Sequence, residues 1–488
     1  LDYELPTRLL YHPEILHEPA LGITSYTADV QTSGYFERTK LFNASIVLAA
    51  LALLLHAVPF VLYGRDPLGY DAGFYRRYLI QPFLSIPNMQ VPGLGNDALL
   101  PRIFLDLVRL AHVPTDLALY GGYVLLFACL PVLLFHFLRP TVGTRGAFIA
   151  GIFIIASSVS YNAYWYMLFK NSFALDLLLL ACIALERRAV GLAILLDIAI
   201  ALSHKTSAII YLLTLGMLFI ISKGRRREIT VHIAIAGAFF ALVNFSLVRQ
   251  VELALPNAVF LEWPQYLWFS APFLLLIVCG WRVFRLQKIP RTLIAFAFAS
   301  LAFPILHLPF YERIFVFSDV ALAAFAAYAA DYLATRIDIE DFSSRMYIPV
   351  AALCIAIGLL FGDLYDQVRS LQPLLPYSSI QEIQTIGTLV PANALILTTA
   401  NEAPWYEGWT LAHIAAPGLL HDTHNLETWE ALWDATSSEA QISFLASFPQ
   451  PLYISTTGSF EDLIGVPSPC LQTVAPHLLY DSCKQNNS

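Results

Sequence analysis

Apolar residues in this chain come in long unbroken runs, not in the alternation of half-buried strands or the narrow stripes of soluble helices. The runs fall at 43–63, 117–138, 147–167, 168–186, 189–203, 206–222, 229–248, 265–281, 292–308, 315–334 and 347–367. A helix needs roughly 20 apolar residues to cross a bilayer core, and most of these runs approach that length. They predict a mostly α fold, a polytopic membrane bundle of about eleven transmembrane helices. The pattern changes between the first two runs. Asp71–Leu84 has helical periodicity, and Leu99–Ala111 (LLPRIFLDLVRLA) sets Arg102, Asp106 and Arg109 between apolar residues. Such stretches predict amphipathic helices lying in the membrane interface on the outer face. Beyond the last run, 394–399 and 451–455 read as short buried strands, and 379–389 and 427–435 as helices. The chain therefore divides into three parts. Residues 1–42 form a cytoplasmic arm with a short helix on the membrane, 43–368 a membrane domain whose first outer loop is 64–116, and 369–488 a small soluble α/β domain.

Composition agrees: of 488 residues, 57% are hydrophobic and 13% charged, against roughly a quarter charged in a soluble protein. The chain starts at Leu1, so its beginning reads as processed or incomplete. No cleavable signal peptide is visible, and the first apolar run is long enough to stay as a helix. Basic residues set the orientation. With the N-terminus inside, Arg38, Lys40, Arg139, Arg145, Arg187, Arg188, Lys223, Arg225–Arg227, Arg282–Arg291, Arg336 and Arg345 all fall inside. The region 371–488 then lies outside; it holds eleven acids and one basic residue, Lys484. The protein is expected in the cell membrane, with its C-terminal domain extracytoplasmic. Its composition leans to a prokaryote. Cys129, Cys182, Cys279 and Cys354 read as small core residues, whereas Cys470 and Cys483 are placed for an exported disulfide.

The exceptions to the charge rule carry the chemistry. Arg65, Arg76, Arg77, Arg102, Arg109, Lys170, Lys205, Arg249, Arg313 and Arg369 lie in outer loops or at outer helix ends. Each alone reads as a headgroup anchor; together they predict a site for an anionic group such as a lipid phosphate. The stretch Gly64–Arg77 adds two carboxylates, Asp66 and Asp71. A helical turn places Asp71 near Tyr75 and Arg76, as a general base for a hydroxyl acceptor requires. Asp66 precedes a proline, and helix capping is its competing role; Asp97 and Asp106 are weaker carboxylates. Lys170 and Asn171 close the outer turn after Tyr161–Tyr166, and His204 and Lys205 sit at the next. Glu312 and Arg313 stand at a late outer junction, paired with each other or open to a phosphate. Trp405 and Trp409, with Trp429 and Trp433 beyond, offer a sugar platform or a packed aromatic core. His421-Asp422-Thr423-His424 has weak metal spacing without a third ligand. No P-loop or GxGxxG is present, no nucleic-acid partner is expected, and no cofactor is required; a divalent metal stays open.

The combination resembles the GT-C superfamily of membrane glycosyltransferases. That superfamily includes protein O-mannosyltransferases, lipid A aminoarabinose transferases, and arabinosyltransferases using polyprenyl-phosphate sugars. The layout carries the resemblance: one helix, then a long outer loop opening with Gly69-Tyr70-Asp71 through Tyr75, then about ten helices and an outer domain. Lys170-Asn171, Ser203-His204-Lys205 and Tyr311-Glu312-Arg313 are similar to its outer-turn motifs. The resemblance implies an inverting transfer from a polyprenyl-phosphate-linked sugar donor to a glycan, lipid or protein hydroxyl. Asp71 would be the base, with Lys205 and Arg313 on the phosphate. Asp71-Ala72 departs from the Asp-Glu pair of the mannosyltransferases. A polysaccharide polymerase or ligase using lipid-linked glycans, a membrane transporter and an inactive scaffold are the rival readings.

Overall fold

A computed structural model of the chain describes residues 23–64, 66, 68–82, 99–163, 166–244, 261–308, 311–337, 347–417, 419–420, 424, 427–429, 438–456 and 471–482. The Cys470–Cys483 pair, Asp97, Trp433 and His421–Thr423 lie outside these residues. Residues 1–46 and 47–488 are two compact units. Helix α1 (Ile23–Tyr63) begins well before the first apolar run, inside the stretch expected as an arm.

The loop after α1 carries α2 (Ala72–Ile80) and α3 (Leu99–Leu110), close to the two expected amphipathic helices. The bundle continues with α4 (Gly122–Ile155), α5 (Ser158–Asn162), α6 (Phe169–Glu186), α7 (Val190–Ser203), α8 (Lys205–Ile221) and α9 (Arg226–Asn244). It ends with α10 (Trp263–Cys279), α11 (Val283–Leu286), α12 (Arg291–Ile305), α13 (Tyr311–Thr335) and α14 (Tyr347–Ser370). The predicted apolar runs fall on these helices. Gly143, at φ +81°, breaks α4 into the two runs expected there, because the left-handed region admits glycine without a Cβ clash. The run expected at 147–167 stops short: the helix breaks at Ala156, and the Ser157 side chain accepts from the Ser160 amide to start α5.

By length and composition, four described stretches can cross a membrane: Phe42–Tyr63, Leu117–Asn162, Tyr311–Thr335 and Tyr347–Ser370. The bent pair Lys205–Ile221 and Lys223–Val243 makes a fifth, and α7, α10 and α12 are shorter apolar helices. This is an integral membrane protein. Helix α13 is its axis. Ala321, Ala323, Ala324, Ala326, Ala327 and Ala329 on it are fully buried, and such small side chains let neighbouring helices close in. Leu54 and Val61 on α1 and Ile348 on α14 stay exposed, as apolar residues facing lipid do. Several polar groups inside the bundle find partners, as a medium without water favours, whereas both oxygens of the buried Asp176 carboxyl make no hydrogen bond among the described residues. Asp197 accepts from Tyr211 Oη at 2.6 Å and pairs with His232 Nδ1 at 2.7 Å, and Ser157 Oγ donates to Asp319.

Beyond α14 come α15 (Tyr377–Leu389) and β1 (Leu395–Leu397), then α16 (Ala403–Trp409) and β2 (His413–Ala416). Strands β3 (Leu419–Leu420), β4 (Leu452–Ser455), β5 (Leu471–Ala475) and β6 (Leu478–Asp481) complete one sheet, ordered β3-β2-β1-β4-β6-β5. Strand β1 runs parallel to β2 and β4, and the other pairings are antiparallel. Leu397, Leu452 and Ile454 close its core against Trp429, Phe444 and Phe448. Both expected strands and the helix at 379–389 are thus present in a small α/β layer, with β2, β3, β5, β6 and α16 added to it; of the helix expected at 427–435, residues 430–435 lie outside the described residues.

Candidate active site

Four helices begin on one face of the bundle, and their first turns carry the candidate residues. Asp71 is the N-cap residue of α2, without a side-chain capping bond. Lys170 is the second residue of α6, Lys205 the first of α8, and Arg313 the third of α13. The short α5 and the turn after it explain how α6 meets α2. The Asp71 amide donates to the Tyr166 carbonyl at 3.1 Å, and the Lys170 amide reaches Tyr75 Oη at 3.5 Å. The Tyr75 ring rests on Phe169, centroids 5.3 Å apart.

The electrostatics show that these first turns share one site. Burial pushes the Asp71 carboxyl above the ordinary carboxylate range, and the charges of Arg313 and Lys170 pull it part of the way back. His204 lies extended between α7 and α8, its Nδ1 2.9 Å from Ser207 Oγ. Burial first, then the charges of Lys170, Arg313 and Lys205, hold the His204 imidazole well below its usual value. It is therefore neutral at pH 7. Glu312 faces the same place: its charge and those of Arg313 and Asp71 act on Tyr166. Asn171 is buried in α6 at 2% exposure. Asp71 thus stands near Arg313 and Lys170, with Glu312 beside Arg313 and Lys205 beside His204, at the amino ends of four helices, where backbone N–H groups add positive potential.

The structure takes other candidates elsewhere. Asp66 Oδ1 accepts from the Tyr377 amide at 3.0 Å, at the start of α15. Arg77 is 2% exposed. It donates to the carbonyls of Glu407 at 3.3 Å, Thr410 at 2.5 Å and Leu411 at 3.1 Å. Its Nε lies 3.5 Å from Glu407 Oε1. Arg76 donates to the Gly408 carbonyl at 2.6 Å and stacks 4.6 Å over the Trp409 ring. Trp405 is 1% exposed and packs inward beside Trp409, centroids 5.7 Å apart, so its ring offers no face to a sugar. Among the described residues no three His, Cys, Asp or Glu side chains converge on a metal position. The charges acting on Asp71 are those of Arg313 and Lys170, so a divalent cation beside it would meet two positive side chains.

Sequence reasoning passed over Tyr166, whose carbonyl anchors Asp71, and Glu407, the buried partner of Arg77. It also passed over Gly73 and Gly408, where the two backbones touch. A Cβ on Gly73 would lie 1.6 Å from the Pro404 carbonyl oxygen, and one on Gly408 2.5 Å from the Gly73 Cα. Glycine within a short polar helix is the signal that marks such close approach.

No family model matches this chain, and no curated protein matches it. Solved structures do share its fold. The chain is similar to an oligosaccharyltransferase from Archaeoglobus fulgidus, solved tethered to an acceptor peptide containing the NVT sequon. The TM-score is 0.60 at 11% identity, over 88% of this chain and 70% of that one. It is also similar to ArnT from Cupriavidus metallidurans bound to undecaprenyl phosphate, with TM-score 0.56 and 13% identity over 89% of this chain and 97% of that one. The apo form of that ArnT superposes with TM-score 0.57. This chain accordingly shares the fold of the oligosaccharyltransferase and of ArnT.

Proposed function

We propose that this protein transfers a sugar from a polyprenyl-phosphate-linked donor to a hydroxyl on a glycan, lipid or protein acceptor, at the outer face of the membrane. Asp71 takes the proton of the acceptor hydroxyl, and that oxygen bonds to the anomeric carbon from the side opposite the phosphate. The bond from the anomeric carbon to the phosphate oxygen breaks, and polyprenyl phosphate leaves with the electron pair. The anomeric centre inverts. Lys170, Lys205 and Arg313 hold the phosphate charge as it develops, in a site whose donors are set before reaction. Neutral His204 stays out of the charge balance and offers a hydrogen bond. One observation carries this reading: Asp71 and the three cations meet at four helix amino termini. The undecaprenyl phosphate in the similar ArnT structure supports it. The acceptor peptide of the similar oligosaccharyltransferase favours, as a second reading, a peptide acceptor.

The test is transfer by purified protein in nanodiscs, supplied with labelled polyprenyl-phosphate sugars and separate lipid, glycan and peptide acceptors. Asp71→Asn should lower turnover about 10²–10⁴-fold, as loss of a general base does, while polyprenyl phosphate binding persists. Full turnover in that variant would falsify the mechanism. The pH profile adds a second check. Asp71 must be ionised to act, so the rate should rise with pH along an acid limb set by this carboxyl. Lys170 lowers its pKa; Lys170→Met should therefore move the limb to higher pH. An unmoved limb removes Asp71 from the base role.

A further inference from the structure

Helix α2 is held from two sides. On one side the Asp71 amide and the Tyr75 hydroxyl join it to the turn that carries Lys170. On the other it meets the C-terminal α/β domain, while α3 and Asp116, 3.5 Å from Arg76 Nε, also touch it. The last carbonyls of a helix have no partner within it. At the end of α16 those of Glu407, Gly408, Thr410 and Leu411 receive the guanidinium groups of Arg76 and Arg77. Cations are favoured at that end of a helix. The Glu407 carboxylate, 4% exposed on its side chain, balances Arg77 within the same contact. Gly73 and Gly408 bring the two backbones together with no room for a methyl group. Tyr70 Oη also donates to the Ala400 carbonyl, in the segment leading into α16.

The geometry turns Arg77 to the C-terminal domain and buries it at 2% exposure. Its Nη1 and Nη2 donate to three carbonyls, and its Nε lies 3.5 Å from Glu407 Oε1. It also gives α2 a fixed lever. Six residues separate Asp71 from Arg77, about 9 Å along a helix at 1.5 Å per residue, and the Gly73–Gly408 contact lies between them. A shift of α16 therefore moves Asp71 against Lys170 and Arg313.

We propose that Arg77 and Arg76 are positioning residues: they bind α2 to the carboxyl end of α16, so that the C-terminal domain sets where Asp71 stands in the active site. The domain is then part of the catalytic apparatus, and a displacement of about 1 Å at Asp71 is enough to cost on the order of 10²-fold in rate. This inference rests on the reading of Asp71 as base, but its structural half can be measured without any activity.

The experiment uses the full chain in nanodiscs with Arg77→Gln, Arg76→Gln and the conservative Arg77→Lys. Hydrogen exchange of the amides of 72–80 and 403–411 reports the contact directly. Turnover with a polyprenyl-phosphate sugar is resolved into kcat and the KM for that donor. In Arg77→Gln, exchange should quicken in both segments together and kcat should fall about 10–100-fold, with the donor KM within about two-fold. Arg77→Lys should recover part of both, and Arg76→Gln, at a half-buried site less critical to folding, should give the same pattern more weakly. Unchanged exchange in α2 overturns the proposal, whatever the activity. So does a raised KM at unchanged kcat, which would make Arg77 a donor ligand. So does a wild-type kcat in a variant whose α2 exchange has quickened. If Asp71→Asn keeps full turnover while exchange in the two segments stays coupled, the base assignment fails alone.

Discussion

Basic residues lie on both sides of the loop around Asp71, its own against the C-terminal domain and the bundle's on the other side, but at opposite ends of helices. Arg76 and Arg77 stand at the carboxyl end of α16, where cation and helix dipole attract and the carbonyls take up the N–H groups. Lys170, Lys205 and Arg313 stand in the first turns of α6, α8 and α13, where cation and dipole repel. The first arrangement stabilises the folded protein as it is. The second opposes the helix dipole, and in the proposed mechanism the donor phosphate offsets it. In that mechanism, basic residues therefore serve as a structural joint on one side of α2 and as binding charges on the other.

The largest expected effect tests the joint. Burial lifts the Glu407 carboxyl from 4.5 to about 7, with Arg77 opposing. A carboxyl raised on folding contributes stability fully below its unfolded value and loses it as pH rises through the folded one. The apparent melting temperature of the wild-type protein should therefore drop between about pH 4.5 and pH 7, by an equivalent of roughly 3 kcal/mol. Glu407→Gln should flatten that slope; a slope left intact would show that the Arg77 contact neutralises Glu407 at no cost.

A smaller effect tests the binding side. Lys205→Gln removes one charge-assisted contact to phosphate, typically about 1.5–3 kcal/mol, so polyprenyl phosphate titrations should show about 10–100-fold weaker binding. The ligand-free variant should melt slightly higher, by roughly 0.3–1 kcal/mol, because a cation has left a helix amino terminus. A less stable ligand-free variant would mean that Lys205 belongs to the scaffold, and the contrast between the two sides of α2 would collapse. The smallest effect lies at the rim of the joint. Trp409→Leu should lower stability by about 0.5–1 kcal/mol through the lost stacking with Arg76, with donor binding unchanged in the same titration.

Much of the bundle was legible in the chain, because lipid imposes its rule one segment at a time. A run such as 315–334 is predominantly apolar whatever its neighbours, Asp319 and Asp331 being its two charged residues, and it lies in α13. The break at Ala156 was not legible. The residues after it, Ser157–Asn162, have the composition of any interfacial turn, and their return towards α2 depends on packing. In the C-terminal domain, two strands were readable from their apolar runs. Strand β5 was not, since its exposed edge alternates weakly and its place follows from pairing with β6. At the site, Asp71, Lys170, Lys205 and Arg313 could be named from their loops. Arg76 and Arg77 carried the same local signal and met different partners.

By itself, then, the sequence determined that this protein lives in a bilayer and which of its loops gather charge. These follow from solvent and composition alone, because a lipid core accepts or rejects each segment on its own terms. Tertiary structure decided which charges meet. Positions 71, 170, 205 and 313 lie far apart in the chain and join only because four helices start at one place. Arg77, six residues from Asp71, points away, because helix geometry turns its side chain to the carbonyls of α16 and the Gly73–Gly408 contact holds it there.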